Sequence, residues 1–285
     1  MSDAISQNAP RGIVGMVHVG ALPGTPRAHL APAAIVAQAV REARNLREAG
    51  FDAVMIENMH DRPYLGGGIG PEVVACMAAV AAAVRAAVDA PVGIQVLGGG
   101  SREALAVAHA TGLDFVRAEN FVFAHVADEG LMAEAAAGPL LRYRKAIGAE
   151  RVSIHADIKK KHASHAVTAD IDIAACARAA EFFLADGVIV TGTETGAAVD
   201  ERELAAVRAA TRLHVMTGSG ADAGSVARLL AVADAVIVGS SIKEGGRWEN
   251  PVCPRRAGEF AQAARQRAAG AAPGMDAVRA VLGVR

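Results

Sequence analysis

Eight short runs of β-branched and aliphatic residues alternate with alanine-, glutamate- and arginine-rich stretches of helical spacing, and no Pro/Ser/Gly-rich linker divides the chain. Repeated β-to-α alternation implies parallel strands joined by crossover helices. Closing eight strands on themselves gives a (β/α)8 TIM barrel, an α/β fold of about 250 residues that the 285 residues here slightly exceed. Composition agrees: 52% of residues are hydrophobic but only 4% aromatic, which suits close-packed helices on aliphatic strands. An open doubly wound sheet is the competing closure.

The predicted strands are Ile13–Val19, Ala53–Glu57, Val92–Leu97, Phe115–Glu119, Val152–Ile158, Gly187–Thr191, Leu213–Thr217 and Ala235–Gly239. Between them the spacing predicts helices, among them Ala33–Ala49, Ile173–Ala185 and Glu201–Ala210. Residues 1–11 are expected to form a flexible tail and 12–268 the barrel. Residues 269–285 are expected to be a C-terminal extension, packing as an extra helix or mediating homo-oligomer assembly. Long loops at 59–70 and 121–133 follow the second and fourth strands, on the side where barrels carry function.

A formal net charge of −1 gives no basic field for nucleic acid, and Lys159-Lys160-Lys161 is too short a run to act as a binding tract. Cys76, Cys176 and Cys253 are far apart, with no C-x-x-C pair, which favours a reducing cytoplasm over a disulfide framework or zinc knuckle. Met1–Pro10 lacks the pattern of a secretory signal. The longest apolar run, Val73–Val84, is too short to span a bilayer and reads as a buried helix, so no integral membrane segment is expected.

Alternate residues of a barrel strand face the helices and the interior. On the fifth strand Val152, Ile154, Ala156 and Ile158 are apolar, and Ser153, His155, Asp157 and Lys159 are polar. A charge against the helix layer would be unpaired and costly, so the polar set is expected to point inward. The same logic turns inward Met16 and His18, Met55 and Glu57, Gln95, Arg117 and Glu119, and Thr191. Glu57, Glu119, Asp157 and His155 would then ring the mouth, with Arg117 one layer deeper. Such a cluster at a barrel mouth points to a reaction site; the bland alternative is an Arg117–Glu119–Glu57 structural network.

The seventh strand runs into Thr217-Gly218-Ser219-Gly220 and the eighth into Gly239-Ser240-Ser241. Glycine lets backbone N–H groups approach an anion, and a phosphate site at the last two strands is common in barrels. Gly218, Ser219, Gly220, Gly239 and Ser240 are therefore the candidate phosphate ligands. Leu97-Gly98-Gly99-Gly100-Ser101 reads as a glycine turn with Ser101 as helix N-cap, a second anion site being the bolder alternative. His18 and His155 are candidate general acid/bases. Lys161 can form a Schiff base or hold a phosphate, and His60 and Asp61 stand where a substrate loop would begin. No cofactor is predicted; a divalent metal on Glu57, Asp157 and His155 has no H-E-x-x-H or D-x-D motif behind it. The glycine clusters spell neither a P-loop nor G-x-G-x-x-G.

Several motifs occur in a fixed order. They are Gly15-Met16-Val17-His18 with Ala21–Pro26; Glu57-Asn58 with Asp61 and Pro63; Phe115-Val116-Arg117; Asp128-Glu129-Gly130; and Ala156-Asp157 with Lys161-His162-Ala163. Val190-Thr191-Gly192 with Thr195-Gly196, and Val238–Lys243 with Gly246 and Asn250, complete the set. In these the chain resembles the BtpA/SgcQ family over roughly residues 12–262. The resemblance implies a barrel akin to the ribulose-phosphate-binding group, without a defined reaction: some members are described as needed for photosystem I accumulation, others look like sugar-metabolism enzymes. Gly98-Gly99-Gly100 stands where the family pattern has Asn-Asp, and Arg117-Ala118-Glu119-Asn120 where it has Arg-Val-Asn.

The expected function is thus an enzyme acting on a small phosphorylated substrate, such as a sugar phosphate, by isomerisation, epimerisation or lysis. Asp157 and Glu57 would move protons with His155 or His18, Arg117 would fix carboxylate positions, and Lys161 would stabilise developing negative charge. The alternative is a non-catalytic assembly factor that retains the barrel, marked by an apolar surface patch and a blocked mouth.

Overall fold

A computed structural model describes residues 9–192, 196–266 and 274–283. Its strands are β1 (Gly12–His18), β2 (Ala53–Glu57), β3 (Val92–Gln95), β4 (Phe115–Ala118), β5 (His125–Ala127), β6 (Gly130–Met132), β7 (Ser153–Ile158), β8 (Ala163–Ser164), β9 (Gly187–Val190), β10 (His214–Thr217) and β11 (Ala235–Val238). Eight of them pair in parallel and close in the order β1-β2-β3-β4-β7-β9-β10-β11. The open sheet is thereby excluded. Several strands stop a residue or two before the predicted end, because the last residues already turn into mouth loops.

The helices are α1 (Pro32–Ala49), α2 (Pro71–Ala87), α3 (Ser101–Thr111), α4 (Ala137–Ala146), α5 (Ile173–Phe182), α6 (Glu201–Ala210), α7 (Val226–Val232), α8 (Pro254–Arg265) and α9 (Met275–Leu282). The apolar run Val73–Val84 lies inside α2, as a helix half-buried against the strands. Ser101 is the first helical residue of α3 and Gly100 its cap, so the expected Ser101 cap is corrected. Of the extension, α9 packs on α6 and α7; residues 269–273 and 284–285, like 1–8 of the tail, lie outside the described residues.

Two apolar layers hold the barrel. Outward strand residues such as Val54, Val116, Ile154 and Val188 pack beneath the helices. Inward ones, including Val14, Met16, Met55, Phe115, Ile189, Met216 and Ile237, fill the centre. Phe115 fits because its neighbour in register is Gly93, where a Cβ would meet the ring at 2.1 Å.

Below this core the chain repeats one device four times. Asp52, Asp114, Asp186 and Asp234 precede the second, fourth, sixth and eighth strands of the barrel (β2, β4, β9 and β11), and each side chain accepts an N–H at the start of the barrel strand before it. The bonds are Ile13 N to Asp52 at 2.8 Å, Val92 N to Asp114 at 2.8 Å, Ile154 N to Asp186 at 2.7 Å and Val215 N to Asp234 at 3.0 Å. The same aspartates donate their own N–H to the carbonyls of those four residues. Arg85, Arg144 and Arg208 pair with the last three carboxylates. Strand order and register are clamped at the end opposite the mouth.

The loop at 121–133 is structured. β5 and β6 form a hairpin, and β8 adds on its other edge, giving an antiparallel sheet over the β4–β7 side of the mouth.

Candidate active site

The C-terminal ends of the barrel strands surround two cavities with common walls. One, of about 320 Å³, lies against the glycine turns after β10 and β11. The other, of about 250 Å³, lies over β2, β3, β4 and β7. Glu57, Met59, Arg117 and Lys161 line both, so the two form one bipartite space.

Register brings His18 beside Glu57 and Glu57 beside Gln95. His18 Nδ1 lies 2.9 Å from the Trp248 carbonyl, which can only accept; this fixes the proton on Nδ1 and leaves Nε2 bare, 3.8 Å from Glu57 Oε2. Burial, then the charge of Lys243, holds His18 well below the usual imidazole range. Glu57 is shifted the opposite way: burial raises it, only partly opposed by Arg117 and Lys161. The two shifts run in opposite directions, the carboxyl toward holding its proton and the imidazole toward releasing its own.

Asp157 stands across the space. Arg117 Nε shares its hydrogen between the two Asp157 oxygens at 3.1 and 3.0 Å, both side chains being buried. Burial raises Asp157 and Arg117 restrains the rise. The partner of Arg117 is therefore Asp157, where the structural alternative had paired it with Glu119 and Glu57. Glu119, just beyond β4, is held by Lys160 at 3.1 Å and by the Gly99 N–H at 3.3 Å.

Lys159, Lys160 and Lys161 part company at the end of β7. Lys159 has φ +45, a left-handed conformation that breaks strand alternation. The expectation that Lys159 points inward is corrected: its ammonium reaches the Thr168 carbonyl. Lys160 turns in instead. Burial pulls the Lys160 ammonium down, but Glu119 and Glu129 outweigh it and hold it charged. The Lys161 N–H donates to Thr191 Oγ1 at 3.1 Å, and its side chain stands at the junction of the cavities.

His155 is not at the mouth. It is fully buried one layer down, edge-on to Phe115 and His214, with Ser153 Oγ 3.1 Å from Nε2. Gly187 makes the room: a Cβ there would lie 2.2 Å from His155 Nδ1. The expectation of His155 as a mouth acid/base is corrected, because it sits three residues before the strand end, level with Arg117. Asp61 anchors the start of the loop that supplies Arg62 and Tyr64 to the second cavity; its carboxylate accepts the Leu22 N–H at 2.7 Å and the Asn58 amide at 2.9 Å. His60 lies near Trp248.

The turns lie where the sequence places them. Gly218, Ser219, Gly220, Gly239 and Ser240 line the larger cavity. Gly218 is a close wall rather than a donor, since its N–H is taken by the Val190 carbonyl. Gly220 has φ +65, and a Cβ there would meet the Ala197 carbonyl at 2.0 Å. Thr195 lies outside the described residues. Sequence reasoning missed Arg256, from the first turn of α8, which lines this cavity with Nε bonded to the Ser241 carbonyl at 2.8 Å. It also missed Trp248, which walls the second cavity beneath Arg62, 4.5 Å from its ring. A lone tryptophan in so aromatic-poor a chain was the available signal. Among the described residues no group of three or more His, Cys, Asp or Glu is placed to hold a metal ion.

The BtpA family model matches residues 9–266. The chain belongs to the BtpA family. An uncharacterised Caenorhabditis elegans protein, named as mitochondrial, is 45% identical over 259 residues, covering 89% of this chain and 93% of its own. The photosystem I biogenesis protein BtpA of Synechocystis is 34% identical over 252 residues, covering 88% and 87%. Among solved structures, the (S)-3-O-geranylgeranylglyceryl phosphate synthase of Thermoplasma acidophilum, in complex with sn-glycerol-1-phosphate, superposes with a TM-score of 0.57 at 15% identity over 93% of this chain and 97% of that one. That likeness shows the barrel alone.

In this BtpA-family chain the two departures from the family pattern meet. Gly99, with φ +74, aims its N–H at Glu119, and Lys160 closes on the other oxygen. At this turn the Gly99 N–H is thus taken by the chain's own carboxylate.

Proposed function

We propose that the protein is an enzyme acting on a small phosphorylated metabolite, such as a sugar phosphate, by proton transfer of the isomerase, epimerase or lyase kind. One observation carries this reading: glycine turns with an arginine at one end, and a buried carboxyl beside a bare imidazole nitrogen at the other, open into one space at the functional end of the barrel. Ser219, Gly220, Gly239, Ser240 and Arg256 hold the phosphoryl group, with Gly218 as the close wall. Glu57 moves the proton together with His18 Nε2, Asp157 serves as the opposing carboxylate, and Arg117 orients it. Glu119 shapes the chamber through Lys160, and Lys161 meets negative charge that develops between the cavities. The phosphorylated ligand of the Thermoplasma synthase, on a like barrel, accords with this assignment. A cytoplasmic location accords with the three free thiols and with the lack, among the described residues, of any helix long and apolar enough to cross a membrane.

A thermal-shift screen against phosphorylated metabolites tests the proposal, because a ligand at one hundred times its Kd stabilises the fold by about 2.7 kcal/mol. With the ligand in hand, Asp157→Asn is expected to abolish turnover while circular dichroism stays unchanged; full activity in that variant contradicts its role. A second reading, an assembly factor, draws on Phe182, Phe183 and Leu184, exposed at 81, 47 and 69% where α5 ends. That patch lies at the opposite end of the barrel from the site. If assembly were the function, Phe182→Ser with Leu184→Ser would abolish partner capture, whereas substitutions in the barrel mouth would not.

A further inference from the structure

The chain has five lysines, and the structure gives four of them a settled position. Lys145 is exposed and paired with Glu150. Lys159 reaches a backbone carbonyl at the rim. Lys160 is locked to Glu119, and Lys243, fully buried, to Glu42 at 2.7 Å. Lys161 differs. Among the described residues no carboxylate lies within ion-pair distance of its ammonium, although Glu57, Glu119 and Asp157 all act on it through space. Its main chain is fixed through Thr191, so the side chain is aimed at the junction where the glycine-turn cavity meets the carboxylate chamber.

We propose that Lys161 is a nucleophilic amine that forms a Schiff base with the carbonyl carbon of a phosphorylated substrate. The inference rests on the phosphate-ester reading above and adds the carbonyl to it. Geometry supplies the arrangement: an anion seated at Gly220, Ser240 and Arg256 leaves the rest of the molecule directed at Lys161, with Glu57 on the same wall. Burial, then the neighbouring Arg117 guanidinium, pulls the Lys161 amine below its usual range, toward the neutral form that attacks. Lys160, one residue earlier, is driven the other way.

The step balances without an outside reagent. The Lys161 lone pair forms the C–N bond while the carbonyl electrons move to oxygen. Nitrogen then loses one proton to that oxygen, Glu57 supplies a second, and the C–O bond breaks with release of water. The product is an iminium cation facing the Glu57 carboxylate it has just created. The cation draws electrons from the adjacent carbon, which is how Lys161 comes to stabilise negative charge there.

Pyridoxal 5′-phosphate, an aldehyde carrying a phosphate, is a suitable probe, with borohydride to fix any imine as a secondary amine. At neutral pH the proposal expects one phosphopyridoxyl group per chain, located at Lys161 by peptide mass spectrometry. Labelling is expected to be at least tenfold faster than at Lys145 and slowed by inorganic phosphate. Lys161→Met should lose the label, and Lys145→Met, at an exposed lysine outside the site, should keep it. Label confined to Lys145, or retained at unchanged stoichiometry in Lys161→Met, overturns the proposal. If phosphate-competable binding of the probe persists while Lys161 stays unmodified, the amine role fails and the phosphate reading survives. If Lys161 is labelled at a rate that phosphate does not alter, the amine role stands and the phosphate reading fails.

Discussion

Glu57 shows most directly how a side chain is prepared for chemistry at the expense of stability. Its folded-state proton affinity is raised, chiefly by burial, so the folded protein disfavours its charged form. For a carboxyl with a raised folded pKa the stabilising contribution is present at low pH and is lost as pH rises through the folded value. Glu57→Gln is therefore expected to raise Tm at pH 7 while lowering kcat by about 10²- to 10⁴-fold; differential scanning calorimetry and a turnover assay check the two halves. His155 and His214 carry the opposite sign. Burial pushes both down, His214 to about 4. The unfolded chain, titrating near 6.5, takes up protons that the native barrel refuses, so stability falls as pH drops from about 6.5 toward 4. His155→Phe should flatten that decline in urea titrations at pH 7 and 5. Residue-scale legibility was uneven for a physical reason. Alternation places Glu57, Asp157, Arg117 and His18 correctly on inward faces, but it carries no height along a strand, so it sets His155 at the mouth where the fold holds it one layer below. Nor does it survive a left-handed residue, which is why Lys159 and Lys160 exchanged roles.

At the level of elements, the four aspartate clamps explain how short strands hold their register. Each carboxylate accepts a strand-opening N–H that would otherwise be half-buried without a partner. Asp114→Ala is expected to cost about 1–3 kcal/mol in urea unfolding, the penalty for leaving such a donor unsatisfied, with ligand affinity unaffected at the far end of the barrel. The device is written in the sequence as Phe51-Asp52-Ala53-Val54, Leu113-Asp114-Phe115-Val116, Ala185-Asp186-Gly187-Val188 and Ala233-Asp234-Ala235-Val236. Hydrophobic periodicity overlooks it, because a turn aspartate adds no apolar signal. The β5–β6–β8 sheet escaped for a related reason: strands of two or three residues are too short to show a period. Gly220 is the element-scale counterpart at the mouth. Its positive φ and the 2.0 Å approach to the Ala197 carbonyl leave no room for a Cβ. Gly220→Ala should therefore weaken phosphate-ester binding by calorimetric titration more than tenfold.

Over the whole molecule, barrel closure depends on joining the last unit to the first. Phe260 of α8 stacks on Phe51 at 5.9 Å, and Lys243, after β11, forms its buried pair with Glu42 of α1. Lys243→Met strands a buried carboxylate and is expected to cost about 3–5 kcal/mol. Adding Glu42→Met should recover most of that loss, which a double-mutant cycle in guanidinium measures. Closure also brings the first strand's His18 next to the last strand's Gly239, where a Cβ would lie 3.2 Å from the imidazole. Glycine turns and proton-transfer groups that are far apart in the sequence thus share one opening. That convergence is most directly tested by a crystal structure of the protein equilibrated with inorganic phosphate. The account predicts the ion among Gly220, Ser240 and Arg256, facing Lys161; an ion bound only elsewhere, with that cavity holding water at saturating phosphate, would contradict it.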